Sequence, residues 1–104
     1  MSAVMVYVTA GSREEAALLA RTVIEEKLAA CANILAEMTS VYRWQGEVCE
    51  EPEFAIVMKS RRDLIGRLTE RIKALHSYDC PCVVALDISE GNPAFLDWIA
   101  QETA

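Results

Sequence analysis

Two extended runs, Ala32 to Trp44 and Val48 to Lys59, meet at the dipeptide Gln45-Gly46, and this turn constrains the chain more than any other feature. Gly46 supplies the positive φ of a tight hairpin, because a residue without a Cβ meets no steric penalty there. Pairing outward from the turn sets Tyr42 opposite Cys49 and Thr39 opposite Pro52. Proline has no N–H to donate, so Pro52 predicts a bulge or an edge and divides the hairpin into a base and a tip. The base, Ile34–Met38 with Phe54–Met58, is apolar enough for a core, whereas the tip, Ser40–Glu51, is more polar and carries Tyr42 and Trp44 on one face. A two-stranded ribbon is marginal alone in water. The tip therefore predicts a packing partner, and in a chain of 104 residues another copy supplies it best.

Elements on either side of the hairpin follow from periodicity. Ala3–Thr9 is a β-branched apolar run that suits an inner strand. Gly11 breaks it, and Ser12-Arg13-Glu14-Glu15 reads as a capping box with Ser12 at the N-cap and Glu15 reaching back. Ala16, Ala20, Val23, Ile24 and Leu28 recur at helical spacing and predict a first helix running to about Ala29 or Ala30. Ser60 with Asp63 predicts a second N-cap, and Leu64, Leu68, Ile72 and Leu75 give the second helix its stripe. Pro81 cannot continue that helix, and Cys82–Ile88 is the fourth strand. Asn92 and Pro93 open a short final helix expected to bury Phe95, Trp98 and Ile99. The order predicts an α+β, ferredoxin-like βαββαβ sandwich with a long hairpin between its second and third strands and a short C-terminal helix, as one domain over residues 1–104. Both main helices then cover one face of the sheet and leave the other bare.

Composition agrees with assembly. The chain is 53% apolar, more than so small a domain can hide, and a neighbouring subunit would cover the excess. A net charge of −6 repels phosphate backbones and anionic lipid, which argues against nucleic-acid and membrane partners. Residues 1–10 hold no basic n-region and no apolar run approaches membrane-spanning length, so a cytoplasmic location is expected. Cys31, Cys49, Cys80 and Cys82 are even in number, but a chain with a substantial core needs no staples, and free thiols are expected.

For catalysis the side chains are too few. His76 is the only histidine, and no nucleophile elbow, P-loop or dinucleotide fingerprint accompanies it, so no enzyme is expected. Glu47, Glu50, Glu51 and Glu53 cluster around the hairpin, where alternating acids mainly discourage edge aggregation. More suggestive is the run His76 to Cys82, which holds an imidazole and the two thiols of Cys80-Pro81-Cys82. Such a set suits Cu(I), or Zn²⁺ with one further ligand. It equally suits small buried cysteines and a histidine at a helix C-terminus. Cys31 follows the first helix and His76 the second, which places them at opposite ends of the sheet, roughly 20 Å apart for a six-residue strand. Only a subunit contact would bring them together. Lys59, ending the third strand, is a candidate anion site beside a helix N-terminus at Ser60, or else a strand end in solvent.

Five segments stand in order along nearly the whole chain: Glu26-Lys27-Leu28-Ala29-Ala30-Cys31-Ala32-Asn33-Ile34, Ser40-Val41-Tyr42-Arg43-Trp44-Gln45-Gly46-Glu47-Val48, Lys59-Ser60, His76-Ser77-Tyr78-Asp79-Cys80-Pro81, and Phe95-Leu96-Asp97-Trp98-Ile99. Together they resemble the CutA divalent-cation tolerance family. The resemblance implies a homotrimer similar to the PII signalling proteins, with the long hairpin clasping a neighbour and the sheets facing one another. It also implies a link to copper and other divalent metals, with Cys31 matching the cysteine of the A-C-A motif and His76 the histidine before the x-Tyr-x-x-Pro segment. Departures are visible too. A further cysteine proposed as a ligand in some members aligns with Val8, the common His-Pro-Tyr is His-Ser-Tyr here, and Cys80 and Cys82 are additions.

Three readings follow. The first is a trimeric, cytoplasmic metal-tolerance protein with no obligatory cofactor, binding copper or another divalent ion weakly or conditionally through Cys31, His76, Cys80 and Cys82. Another is a PII-like sensor holding a small molecule or anion in clefts between subunits, with Trp44, Glu53, Lys59 and Tyr78 as its contacts. The third is a stable assembly scaffold without a ligand.

Overall fold

Ala3–Ala10 forms the inner strand β1 that its apolar run predicts, flanked by β4 (Glu47–Arg61) and β5 (Val83–Asp87). The structure, a computed structural model, describes residues 2–104. β2 (Cys31–Ile34) completes an antiparallel sheet of order β2-β4-β1-β5, and β3 (Met38–Trp44) continues along β4 beyond it. This is the ferredoxin-like order, with the expected second strand split in two. The split lies where Leu35, Ala36 and Glu37 face only Phe54 and Ala55.

That surplus residue is the bulge, and it precedes Met38 instead of sitting at Pro52, which pairs with Thr39 in unbroken register. Pro52 occupies an edge. β1 ends at Ala10, opposite Phe54, so β4 has a neighbour on one side only at Pro52. At the far end Gln45 (φ 49°) and Gly46 (φ 83°) both take positive φ, the geometry of a two-residue turn that follows the strands' own twist. Tyr42 faces Cys49 as the turn chemistry predicts.

α1 (Arg13–Glu25) and α2 (Ile65–Leu75) cover one face. Ser12 Oγ accepts the Glu15 N–H at 3.1 Å, the first half of the capping box. The return half is altered, because Glu15 Oε1 accepts the N–H of Gly11 instead of that of Ser12. α1 also stops well short of the predicted Ala29. Lys27 turns to φ 59°, its N–H donates to the Ile24 carbonyl, and the Leu28 N–H donates to the Val23 carbonyl at 2.8 Å. This Schellman closure throws Leu28 back onto Val23 in the core. Leu19 is buried, whereas Ile24 of the predicted stripe is exposed.

The expected N-cap at Ser60 is also corrected. β4 runs on to Arg61, Ser60 pairs with Val4, and its buried hydroxyl donates to the Leu28 carbonyl at 2.6 Å. A 3-10 turn, Arg62–Leu64, leads into α2 without a side-chain cap. Val4, Val6 and Val8 of β1, with Met58 and Ile56 of β4, pack against Leu19, Val23, Leu68 and Ile72. Burial of each such side chain is worth about 1.5–3 kcal/mol.

α3 (Pro93–Glu102) starts as predicted, with Asn92 Oδ1 accepting the Ala94 N–H. Its burial differs from expectation. Ile99 packs on Ala3 and Ala30, but Phe95 and Trp98 are exposed and stack on each other with centroids 5.5 Å apart. On the sheet face opposite the helices, register aligns Cys31, Lys59, Met5 and Leu86 in one row and Asn33, Val57, Tyr7 and Val84 in the next. Leu86 is 62% exposed, so the face that the topology leaves bare is apolar as well. Among the described residues no helix is long and apolar enough to cross a membrane.

Candidate functional site

The hairpin and the segment following α2 enclose a cleft of ≈ 530 Å³. Val41, Tyr42 and Trp44 line it from the hairpin, and Tyr78, Asp79, Cys80 and Cys82 from the segment, with the buried Glu53 between them in sequence.

What positions that segment is a set of polar contacts to the end of β1 and the start of α1. The His76 side chain is fully buried. Its Nε2–H donates to the Thr9 carbonyl at 2.7 Å, and its Nδ1 accepts the Tyr78 N–H at 3.1 Å. Those partners assign the neutral Nε2–H tautomer and leave neither ring nitrogen free. Glu15 accepts the Ser77 N–H at 2.8 Å and the Ser77 hydroxyl at 3.0 Å. Burial opposes ionisation of Glu15, but the hydrogen bonds from Ser77 and Gly11 outweigh it and hold the carboxyl below its ordinary range. The Tyr78 ring lies 4.6 Å from that of His76, centroid to centroid, and its hydroxyl donates to Glu53 Oε2 at 2.8 Å. Gly11 permits this approach, because a Cβ there would stand 3.1 Å from the Tyr78 hydroxyl.

The electrostatics of the cleft are negative. Burial first, and then the hydrogen bond and charge of Glu53, push the Tyr78 phenol far above its ordinary range. Burial raises Tyr42 as well, with smaller contributions from Cys49, Glu51 and Glu53, and burial followed by Glu53 raises the Cys82 thiol.

The predicted site residues fall into three places, with His76 buried behind the segment after α2. Trp44, Glu53 and Tyr78 meet in the cleft, joined there by Cys80 and Cys82, all of them residues of one protomer. Lys59 is elsewhere. It sits inside β4 on the open sheet face opposite Cys31, its Nζ donates to Asn33 Oδ1 at 2.7 Å, and no helix starts beside it. The expected helix-assisted anion site does not form at that position. Cys31 lies level with Met5, whereas His76 bonds Thr9, four residues on and roughly 13 Å along the strand. They are separated as the topology predicts. Among the described residues no three His, Cys, Asp or Glu side chains gather so as to hold a metal ion, and all four cysteines are free. Sequence reasoning did not assign Tyr42, Asp79, Glu15 or Gly11 to the site. Tyr42 carried a signal, two residues before Trp44 on the same strand face. Glu15 carried none, because its bonds to Ser77 span 62 positions.

A family model described as CutA1 divalent ion tolerance protein matches residues 4–102. The divalent-cation tolerance protein CutA of Thermus thermophilus is 46% identical over 99 residues, which cover 95% of this chain and 96% of that protein. The chloroplastic protein CutA of Arabidopsis thaliana is 42% identical over 100 residues, 96% of this chain but 55% of its own length, so the chain spans about half of that longer relative. A crystal structure of CutA1 from Oryza sativa superposes with a TM-score of 0.97 at 42% identity, covering 100% of this chain and 95% of that one. The Thermus thermophilus structure gives 0.96 at 45% identity, with 98% and 99% covered. The Thermus thermophilus protein and its structure are named for tolerance of divalent cations.

Proposed function

The chain belongs to the CutA1 divalent ion tolerance family, and we propose that it is a homotrimeric, cytoplasmic divalent-cation tolerance protein that binds copper weakly through Cys80 and Cys82. The carrying observation is that both thiols of Cys80-Pro81-Cys82 line one cleft with the buried Glu53. Thiolates suit a soft ion such as Cu(I). Weakness follows from the same geometry. The raised pKa of Cys82 means that metal binding must displace a tightly held proton, and the described residues offer no third ligand in place. His76 holds the segment from behind and takes no part as a ligand in this arrangement, while Cys31 waits on the open sheet face for a contact with another subunit.

Assembly is supported by the same unpartnered surfaces: Val84 and Leu86 on the open face, and Val41 and Val48 on the hairpin, are each more than half exposed. Free thiols suit a reducing, cytoplasmic setting. The test is a native mass spectrum of tag-free, reduced protein with and without a modest excess of Cu(I). A trimer taking up copper in multiples of three, and losing it in Cys80→Ser/Cys82→Ser, is the expected outcome. A trimer that stays bare removes the metal reading, and a monomer removes the assembly. The cleft's volume and its aromatic lining favour a second reading, a PII-like sensor with a small molecule in that cleft.

A further inference from the structure

Among the described residues no cationic side chain lines the cleft, whose titratable lining is Tyr42, Glu53, Tyr78, Asp79, Cys80 and Cys82. Glu53 is only 9% exposed, yet neither it nor Asp79 forms a salt bridge among the described residues. The partner that Glu53 does have, the Tyr78 hydroxyl, is neutral. Among the described residues this carboxyl therefore has no cationic partner. Around it stand the rings of Tyr42, Trp44 and Tyr78, whose faces attract cations. Lys59, the residue that would have favoured an anion, is bound to Asn33 on the open sheet face.

We infer that this cleft binds a small organic ammonium ion, with Glu53 countering its charge and Trp44, Tyr42 and Tyr78 packing around its N-alkyl groups. The inference rests on the second reading, that the cleft is a ligand site, and it names the class of ligand. An alkylammonium matches the lining better than a hydrated metal ion. It uses aromatic faces and one carboxylate, where a hard cation needs six or more oxygens.

The experiment is calorimetric titration of choline into the full-length, reduced, assembled protein, with 3,3-dimethylbutan-1-ol as the uncharged analogue of the same shape. Saturable choline binding is expected, with the alcohol at least about tenfold weaker and Trp44→Ala weakening choline by about tenfold. Trp44 is 45% exposed on the hairpin, so its truncation leaves the core intact and circular dichroism checks the fold. Glu53→Gln should weaken choline by a similar factor while leaving the alcohol unchanged. Choline binding by the metal-free protein separates this inference from the copper reading. Equal binding of choline and the alcohol overturns the inference, as does indifference to Trp44→Ala in a folded variant. Absence of saturation at millimolar choline overturns it too, and is the result expected if a neighbouring subunit fills the cleft.

Discussion

The hydroxyl of Tyr78 donates to Glu53 Oε2 at 2.8 Å, and this bond spans the hinge of the hairpin. Glu53 is the first residue of β4 beyond the reach of β1, whose Ala10 faces Phe54, and it pairs with Met38 at the start of β3. The contact therefore fixes the segment after α2 to the place where the ribbon leaves the sheet. It also defines one wall of the cleft.

Removing that hydroxyl should loosen both. Tyr78→Phe is expected to cost about 1–2 kcal/mol near neutral pH, the worth of a partly buried hydrogen bond to a carboxylate. The folded state raises the phenol's pKa, so the contribution is fully present below the ordinary tyrosine value of 10.0 and is lost as pH rises from there towards the folded value. Guanidinium unfolding of both proteins across pH should show a constant gap up to about pH 9 that narrows above pH 10. A gap that stays constant into strong alkali would mean the hydroxyl does not bond Glu53 in solution.

Glu15 has the opposite pH signature. Its carboxylate collects the N–H of Gly11 and the N–H and hydroxyl of Ser77, and its folded pKa is depressed below 4.5. Stability from this group is present above its unfolded value and disappears as pH falls through the folded one. Glu15→Ala should lose about 1–2 kcal/mol at pH 7 and measurably less at about pH 3. The check is urea unfolding at both pH values, and equal losses at both would assign the effect to the helix start alone.

How far the residues alone reveal this molecule depends on whether the physics is local. The Gln45-Gly46 turn was legible because positive φ has a residue signature, and the turn then set the register up to Thr39 and Pro52. The end of α1 was not, because Lys27 adopts the left-handed conformation without glycine's signature. Ser60 carries the residue type of an N-cap, yet its hydroxyl is used 32 positions away, on the Leu28 carbonyl. Phe95 and Trp98 have core composition and lie at the surface, since hydrophobicity alone does not say whether the fold covers a side chain. His76 was visible as a singular residue, but its two backbone partners, Thr9 and Tyr78, are fixed only by the fold.

The open sheet face gives a test of assembly that leaves the monomer untouched. Leu86 is 62% exposed in the protomer, so Leu86→Asp alters little in the fold of a single chain. Buried between subunits, the same aspartate would be an unpaired charge and cost several kcal/mol per site. Size-exclusion chromatography with light scattering should then find the variant at the mass of a monomer, with unchanged circular dichroism. A variant that keeps the wild-type mass would move the interface away from this face.

Lys27 offers the sharpest test of the backbone itself. Its φ of 59° closes α1 through the bonds Leu28 N–H to Val23 and Lys27 N–H to Ile24, a position where a Cβ crowds the backbone and glycine does not. Its side chain is exposed and forms no salt bridge among the described residues, so replacing it removes no contact of consequence. Lys27→Gly should therefore stabilise the protein by about 0.5–1 kcal/mol, the relief of left-handed strain less the extra freedom glycine gives the unfolded chain. Lys27→Ala keeps the Cβ and should gain nothing. Urea midpoints at an unchanged m value read the difference directly. Equal midpoints for the glycine and alanine variants would show that the helix closes some other way in solution.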